Sequence, residues 1–154
     1  MTSNLSQMDQ LRQAVLDGTW ERDLGIREVW PFMEEVLAGH VVESFYISLA
    51  PVGYVELKPK AQIVVAASGL LYDFIFGDDL QRYDVVVLHA ISRVEERREV
   101  EPSIEGPPRQ KVHLEFEWSG GLGGSSLTLI AFGPEGRRLS EFAKFMKRKA
   151  FQGA

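Results

Sequence analysis

Histidine and acidic side chains are the groups in this chain whose types and spacing bear on chemistry. The chain has three histidines, His40, His89 and His113, and no cysteine. The absence of cysteine excludes thiolate nucleophiles, disulfides and cysteine-ligated metals. The histidines are too far apart in sequence for the His-x-His or His-x-x-x-His spacing that brings two imidazoles to one metal. We therefore expect no metal site and no bound cofactor.

Aspartate on a strand is a second candidate for chemistry, since an inward-pointing carboxylate can act as a general base. Asp73 lies beside Tyr72 in a predicted strand, and we expect Tyr72, Phe74 and Phe76 to form the inward set. Alternation along the strand then directs Asp73 outward. No Gly-x-Ser-x-Gly nucleophile turn occurs, and the glycine-rich segment 120–126 lacks the phosphate-loop pattern, which favours a hairpin loop. No catalytic set is assembled, and the interpretation leans away from an enzyme.

Length and charge limit the classes of protein to which the chain can belong. Its 154 residues suit one domain, and the formal net charge of −5 disfavours nucleic acid as a partner. No segment approaches the roughly 20 apolar residues of a transmembrane helix, and the polar N-terminus does not resemble a signal peptide. We therefore expect a cytoplasmic protein. Seven acidic and three basic residues lie in 1–40, whereas two acidic and six basic residues lie in 134–154, so the two ends are electrostatically complementary.

Hydrophobic periodicity predicts two short helices, then a series of strands, then one closing helix. The helices are expected at 7–17, with Ser6 as N-cap, and at about 31–37. Alternating apolar residues predict strands at 41–49, 62–67, 70–76, 83–90, 92–100, 111–118 and 126–132. The closing helix is expected to begin within 133–136 and to run through Arg137 to about Ala150. It carries an apolar stripe on one face, formed by Leu139, Phe142, Ala143, Met146 and Ala150. This order predicts an α+β fold that is mainly antiparallel β.

Three segments resemble the pleckstrin-homology-like (PH-like) and GRAM-type domains of bacteria. They are Gln62–Phe74, Val86–Glu95 with its small–Ile–x–x–Val–Glu step, and the closing-helix segment Leu139–Phe145. The resemblance implies a small barrel of about seven strands capped by the C-terminal amphipathic helix. It assigns 41–154 to this barrel and leaves 1–40 as an N-terminal helical extension. The usual role of such domains is binding, to phosphoinositides, peptides or partner domains.

The favoured hypothesis is a non-enzymatic intracellular interaction module whose partner is another protein or a second copy of the chain. The mixed charges of 92–101 are interpreted as protection of an exposed strand edge, with a partner-binding surface as the open alternative. Anionic lipid has little support as a partner, since the loop after the first strand offers only Lys58 and Lys60, beside Glu56. The residues expected to contact a protein partner lie in and just after the closing helix: Arg137, Lys144, Lys147, Arg148, Lys149, Phe145 and Phe151.

Two alternatives remain open at this point. The first is a small-molecule-binding barrel, or a small enzyme, with an aromatic-lined pocket. Its ligand-binding residues are expected to be Tyr46, Tyr72 and Trp118, with His89 as a polar group. The second is a self-assembling structural protein, a homo-oligomer in which the acidic N-terminal helices of one chain contact the basic closing helix of another.

Overall fold

The computed structural model describes residues 6–17, 29–49, 51, 59–78, 80–102, 104, 106–118 and 125–151. The predictions for Glu56, for Lys58 and for the glycine-rich loop at 120–124 fall outside these residues. The helices in the described part of the chain are α1 (Gln7–Asp17), α2 (Val29–Leu37) and α3 (Glu135–Phe151). None of these helices combines the length and the apolar character that a bilayer span needs.

The two N-terminal helices form where the periodicity predicts them. Ser6 caps α1, because its hydroxyl accepts a hydrogen bond from the Asp9 N–H at 3.1 Å and donates to the Asp9 carboxylate at 2.9 Å. α2 begins at Val29 instead of Pro31. Pro31 is compatible with this earlier start, because backbone N–H groups in the first turn of a helix have no intrahelical partner to lose.

In the described part of the chain, seven strands form two antiparallel sheets. The first sheet has the order β1-β2-β3-β4 and the second has the order β5-β6-β7. This arrangement confirms the prediction of a mainly antiparallel α+β fold. The two sheets are not joined into one closed ladder, so the PH-like barrel stays a prediction. The strands are β1 (Val42–Ser48), β2 (Ala61–Ala67), β3 (Leu70–Gly77), β4 (Leu80–Val87), β5 (Ile91–Glu101), β6 (Arg109–Trp118) and β7 (Ser125–Phe132).

The turns between strands decide where the strands begin and end. Ser68 and Gly69 connect β2 to β3 with φ angles of 51° and 78°, the left-handed pair that a tight hairpin turn requires. Leu88–Ala90 forms a single 3₁₀ turn between β4 and β5, so the predicted limits 83–90 for the fourth strand are wrong. The sequence conceals this boundary because Leu88 is apolar and buried, as a strand residue would be.

One hydrophobic core lies between the two sheets and α3. The helix packs on β5, β6, β7 and β1, and its predicted apolar stripe is buried, with Ala150 at the margin. Gly136 permits this approach, since a Cβ at that position would lie 2.9 Å from Val112 Cγ2. The inward residues of β6 are those that alternation predicts: Val112, Leu114 and Phe116, with Trp118 partly buried.

A second hydrophobic core lies on the opposite face of the first sheet, beneath α1 and α2. Tyr72, Phe74 and Phe76 point into this second core and not into the space between the sheets. The prediction that Asp73 points away from the interior is therefore wrong. Asp73 shares the inner face with Leu71, because successive side chains on a strand alternate. Both faces of β2 are buried, which explains its nearly continuous apolar sequence.

Candidate interaction surfaces

The four predicted ligand-binding residues lie in three separate places. Tyr46 is buried in the core between the sheets, and Trp118 packs at the margin of that core. Tyr72 lies on the opposite face of the first sheet, where its hydroxyl is 3.1 Å from His40 Nε2. His89 lies in the 3₁₀ turn after β4 and is exposed. The structure therefore does not assemble the predicted aromatic pocket.

Tyr46 and Asp73 are polar residues on the inner face of the first sheet. Burial of Tyr46, together with the nearby Glu135 carboxylate, raises the pKa of Tyr46 to about 12. The Asp73 carboxylate accepts a hydrogen bond from Gln62 Nε2 at 2.9 Å. Across the ladder, Asp73 lies opposite Asp84 of β4. In the described part of the chain, no group of three or more His, Asp and Glu side chains is arranged to bind a metal ion.

Cations near the C-terminal end of α3 contact acidic groups of the strands. Lys147 Nζ lies 2.8 Å from Glu96 Oε1 of β5, and Lys149 Nζ lies 3.4 Å from Glu43 Oε1 of β1. The acidic helices α1 and α2 lie on the far side of the first sheet, in the second core. Within one chain, the charge of α3 is therefore balanced in part by strands and not by the described N-terminal helices.

The two aromatic residues predicted to contact a partner differ in their accessibility. Phe145 is buried in the core between the sheets, and the Arg148 guanidinium lies 5.8 Å from its ring centroid. Phe151, the last residue of α3, is 53% exposed. Of the two rings, the Phe151 ring is the accessible one.

Glu96 joins the edge strand β5 to α3. Its carboxylate accepts hydrogen bonds from Lys147 Nζ at 2.8 Å, from the Ser140 hydroxyl at 3.0 Å and from Arg98 Nε at 3.3 Å. Arg98 also donates to Ser140 Oγ at 2.9 Å. Burial opposes the negative charge of Glu96, but these donors outweigh it and lower the pKa of Glu96. The same bonds fix the Arg98 guanidinium beside the first turns of α3.

An open cleft of about 1100 Å³ lies between the first half of α3 and the end of the β5–β6 hairpin. We call it the α3 cleft. Four of its lining residues are basic and two are acidic, and four others are prolines. Two of the basic residues, Arg137 and Lys144, belong to the predicted partner-binding set. The charged lining residues are Arg98, Arg109, Arg137, Lys144, Glu101 and Glu141.

Arg98 and Arg109 are residues of this cleft that sequence reasoning does not identify. The Arg109 guanidinium lies over the Phe132 ring, 4.1 Å from its centroid, and Arg109 Nη2 lies 3.3 Å from Glu101 Oε2. The proline-containing loop at 102–108 is the available signal, since it marks a hairpin end. Only the fold, however, brings that hairpin end beside α3.

A smaller cleft of about 300 Å³ lies beside His89. Its lining includes both Lys149 and Glu43, which contact each other at 3.4 Å. Its lining contains one cation and one carboxylate, whereas the lining of the α3 cleft contains two more basic than acidic side chains. The smaller cleft therefore offers less positive charge to a partner.

Comparison with known proteins does not assign the chain to a family. No family model, no curated protein and no solved structure matches it. The resemblance to PH-like sequences therefore stays a prediction.

Proposed function

We propose that this protein is a non-enzymatic, PH-like interaction module that binds an acidic, extended segment of a protein partner in the α3 cleft. The observation that carries the proposal is the excess of basic over acidic side chains in the lining of that cleft. A positively charged surface attracts a negatively charged partner and increases its rate of association.

The rigidity of the cleft supports a binding role. Arg98 is held by Glu96 and Ser140, and Arg109 is held by Glu101 and the Phe132 ring. Side chains that are already fixed lose little conformational entropy when a partner binds. The prolines of the lining restrict the backbone of the cleft wall in the same way. A preformed basic cleft of this kind suits an extended acidic peptide better than a second folded surface.

The alternative of a small-molecule-binding barrel or small enzyme has less support. Side chains from both sheets and α3 pack against one another in the space where a ligand would lie, and the histidines are dispersed. His40 contacts Tyr72 on the outer side of the first sheet, His89 lies in a surface turn, and His113 is on the face of β6 opposite to Leu114. General acid–base chemistry needs such groups to converge on one substrate.

Anionic lipid also has less support than an acidic peptide. Lys60, the described cation of the loop that binds lipid in PH-like domains, contacts Asp78 at 2.8 Å. This ion pair reduces the positive charge that the end of the first sheet offers to a membrane surface. The cleft beside α3 lies elsewhere, against the second sheet.

Binding of a labelled polyglutamate peptide, followed by fluorescence anisotropy, tests the proposal. The double variant Arg137→Glu/Lys144→Glu reverses two charges at the cleft, and we expect it to weaken binding by roughly tenfold or more. The matched control is Arg148→Glu/Lys149→Glu, which makes the same charge change at the other end of α3 and should alter binding far less. Binding should also weaken as salt is added.

The control pair separates the outcomes. Equal losses in both double variants would mean that the peptide responds to net charge and not to the α3 cleft. No loss in the cleft variant would overturn the proposal. Phosphatidylserine vesicles, tested with the same two variants, provide the comparison with lipid: tight vesicle binding without peptide binding would replace the acidic segment with a membrane surface.

A further inference from the structure

The edge strand β4 exposes an apolar row that the described part of the fold covers only in part. β4 is the last strand of the first sheet. Along its outer face, Tyr83, Val85 and Val87 are 41%, 43% and 50% exposed. The Tyr83 ring also contacts Phe32 of α2, with ring centroids 6.1 Å apart. The apolar row is therefore continuous with the second core and open at the edge of the sheet.

The other sheet edges in the described part of the chain are protected. β1 has an irregular register between Val42 and Ser44 and lies against α3 and β7. β5 is covered with ion pairs and has a register shift of its own after Ile91. β7 is covered in part by α3. β4 pairs with β3 in an unbroken register and contains neither Lys nor Pro. Its charged side chains, Arg82 and Asp84, pair with each other on the inner face, so its outer face carries none of the charges that usually prevent edge-to-edge pairing.

The charges of β4 are self-complementary in one antiparallel register. If two copies of β4 pair about a two-fold axis at Tyr83, residues 82 and 84 lie directly opposite each other across the new interface. Arg82 of each copy then faces Asp84 of the other, on one face of the sheet. A shift of the axis to Asp84 would instead bring two aspartates together. Opposite charges directly across a strand pair are stabilising and like charges are destabilising.

A second cation beside Asp84 would be stabilising. In the β3–β4 ladder it lies directly opposite Asp73, so two carboxylates share the inner face. Its own-chain contact with Arg82 Nη2 is 3.6 Å long, and both side chains are about half exposed. An arginine from another chain would offset the repulsion between the two aspartates.

We propose that β4 is a homodimer interface, in which the β4 strands of two copies pair antiparallel with Tyr83 on the two-fold axis. This pairing joins the two first sheets into one continuous sheet and buries the row of Tyr83 and Val85 from each copy. The surface is on the opposite sheet from the α3 cleft, so the two proposals stand or fall separately.

Sedimentation equilibrium of charge-reversed variants tests the interface and its register. Arg82→Asp sets two pairs of aspartates against each other, and Asp84→Arg sets two pairs of arginines against each other. We expect each single variant to weaken the dimer by roughly tenfold or more. The double variant Arg82→Asp/Asp84→Arg should restore it, and an equimolar mixture of the two single variants should form a heterodimer. A wild-type chain that stays monomeric at all accessible concentrations would overturn the proposal, as would a dimer that the single variants leave unchanged.

Exposed valines on two different edges provide the matched control. Val85→Lys adds a charge to β4, and Val100→Lys adds the same charge to β5, where Val100 is also exposed. Only Val85→Lys should weaken the dimer. If both variants weaken it equally, the contact is non-specific and the β4 interface is wrong.

Cysteine cross-linking reads the register directly, because the natural chain contains no cysteine. Tyr83→Cys places two thiols across the two-fold axis, within the Cα separation that a disulfide spans. Val87→Cys lies on the same face but four residues from the axis in each copy, roughly 26 Å from its counterpart. Oxidation should therefore give a covalent dimer with Tyr83→Cys and not with Val87→Cys. The reverse pattern would overturn this register.

Discussion

β4 and β5 follow each other in the chain and both lie at sheet edges, yet their outward side chains are of opposite kinds. The outer face of β4 carries Tyr83, Val85 and Val87. The outer face of β5 carries alternating charges that pair along the strand, Arg93 with Glu95 and Arg97 with Glu99. A charged edge resists pairing with another chain, whereas an apolar edge invites it. The two strands thus differ in the side-chain property, charged or apolar, that decides whether an edge resists or invites pairing.

The inner faces of the same two strands differ as well. β5 is joined to α3 through Glu96, which binds Lys147, Ser140 and Arg98. β4 contributes Val86 to the margin of the core, and its main neighbour is β3. β5, the strand with the charged edge, is therefore also the strand that is bonded to α3.

Glu96→Gln is the substitution with the largest expected effect on this contrast. It removes a carboxylate charge that lies 12% exposed among three donors. Hydrogen bonds to a charged group contribute roughly 1.5–3 kcal/mol, so we expect the free energy of unfolding to fall by about 2 kcal/mol. Urea unfolding monitored by circular dichroism measures the loss. Glu99→Gln is the control on the outer face, where the loss should stay below about 0.5 kcal/mol. Equal losses would mean that Glu96 does not join β5 to α3.

Acid should weaken the connection between β5 and α3. The pKa of Glu96 is lowered in the folded state, so its contribution to stability is present above the ordinary glutamate pKa of about 4.3 and is lost as the pH falls through the folded-state value. The difference in unfolding free energy between the wild type and Glu96→Gln should therefore be constant near neutral pH and shrink in acid. Urea unfolding at a series of pH values measures this difference. A gap that persists unchanged into strong acid would contradict the assignment.

Sequence periodicity predicts most of the fold, because the alternation of a strand with one apolar face shows which of its residues point toward the core. β6 alternates strictly and is found where it is predicted, with Val112, Leu114 and Phe116 inward. α3 is also placed correctly, because its stripe at i, i+3, i+4 and i+7 has no competing interpretation. β4 is less well predicted, since its apolar residues run into Leu88 of the following turn.

The candidate sites are harder to predict, because they depend on which face of a sheet is the inner one. Alternation predicts that the aromatic face of β3, which begins with Tyr72, points inward, but the first sheet has a core on each side. Alternation identifies two faces and does not say which of them α1 and α2 will cover. The α3 cleft poses a different problem, because Arg98 and Arg137 are distant in sequence and only the packing of α3 on β5 brings them together.

Transferring the character of β4 to β5 should break the contrast between the two edges. Arg97→Val/Glu99→Val replaces an exposed ion pair with two exposed valines. Surface ion pairs contribute little, so we expect the unfolding free energy to change by less than about 0.5 kcal/mol. The variant should nevertheless gain a concentration-dependent association that the wild-type β5 edge does not support. Sedimentation velocity in the background of Arg82→Asp, which weakens the proposed β4 contact, isolates the new edge. No added association would show that the charges of β5 are not what protects it.

The smallest expected effect is that of a substitution at Val85, one of two valines that flank the same tyrosine. Val65 of β2 and Val85 of β4 are the ladder neighbours of Tyr72 on its two sides, but Val65 is fully buried and Val85 is 43% exposed. Val→Thr keeps the shape of the side chain and introduces a hydroxyl. At Val65 we expect a loss of about 1–3 kcal/mol, since the hydroxyl is buried away from water. At Val85, below the concentration at which the protein associates, we expect less than about 0.5 kcal/mol, because the hydroxyl stays hydrated. Urea unfolding of the two variants at low protein concentration measures both values. A large loss at Val85 in the monomer would mean that the apolar row of β4 supports the fold of the single chain, and its exposure would then no longer argue for a contact surface.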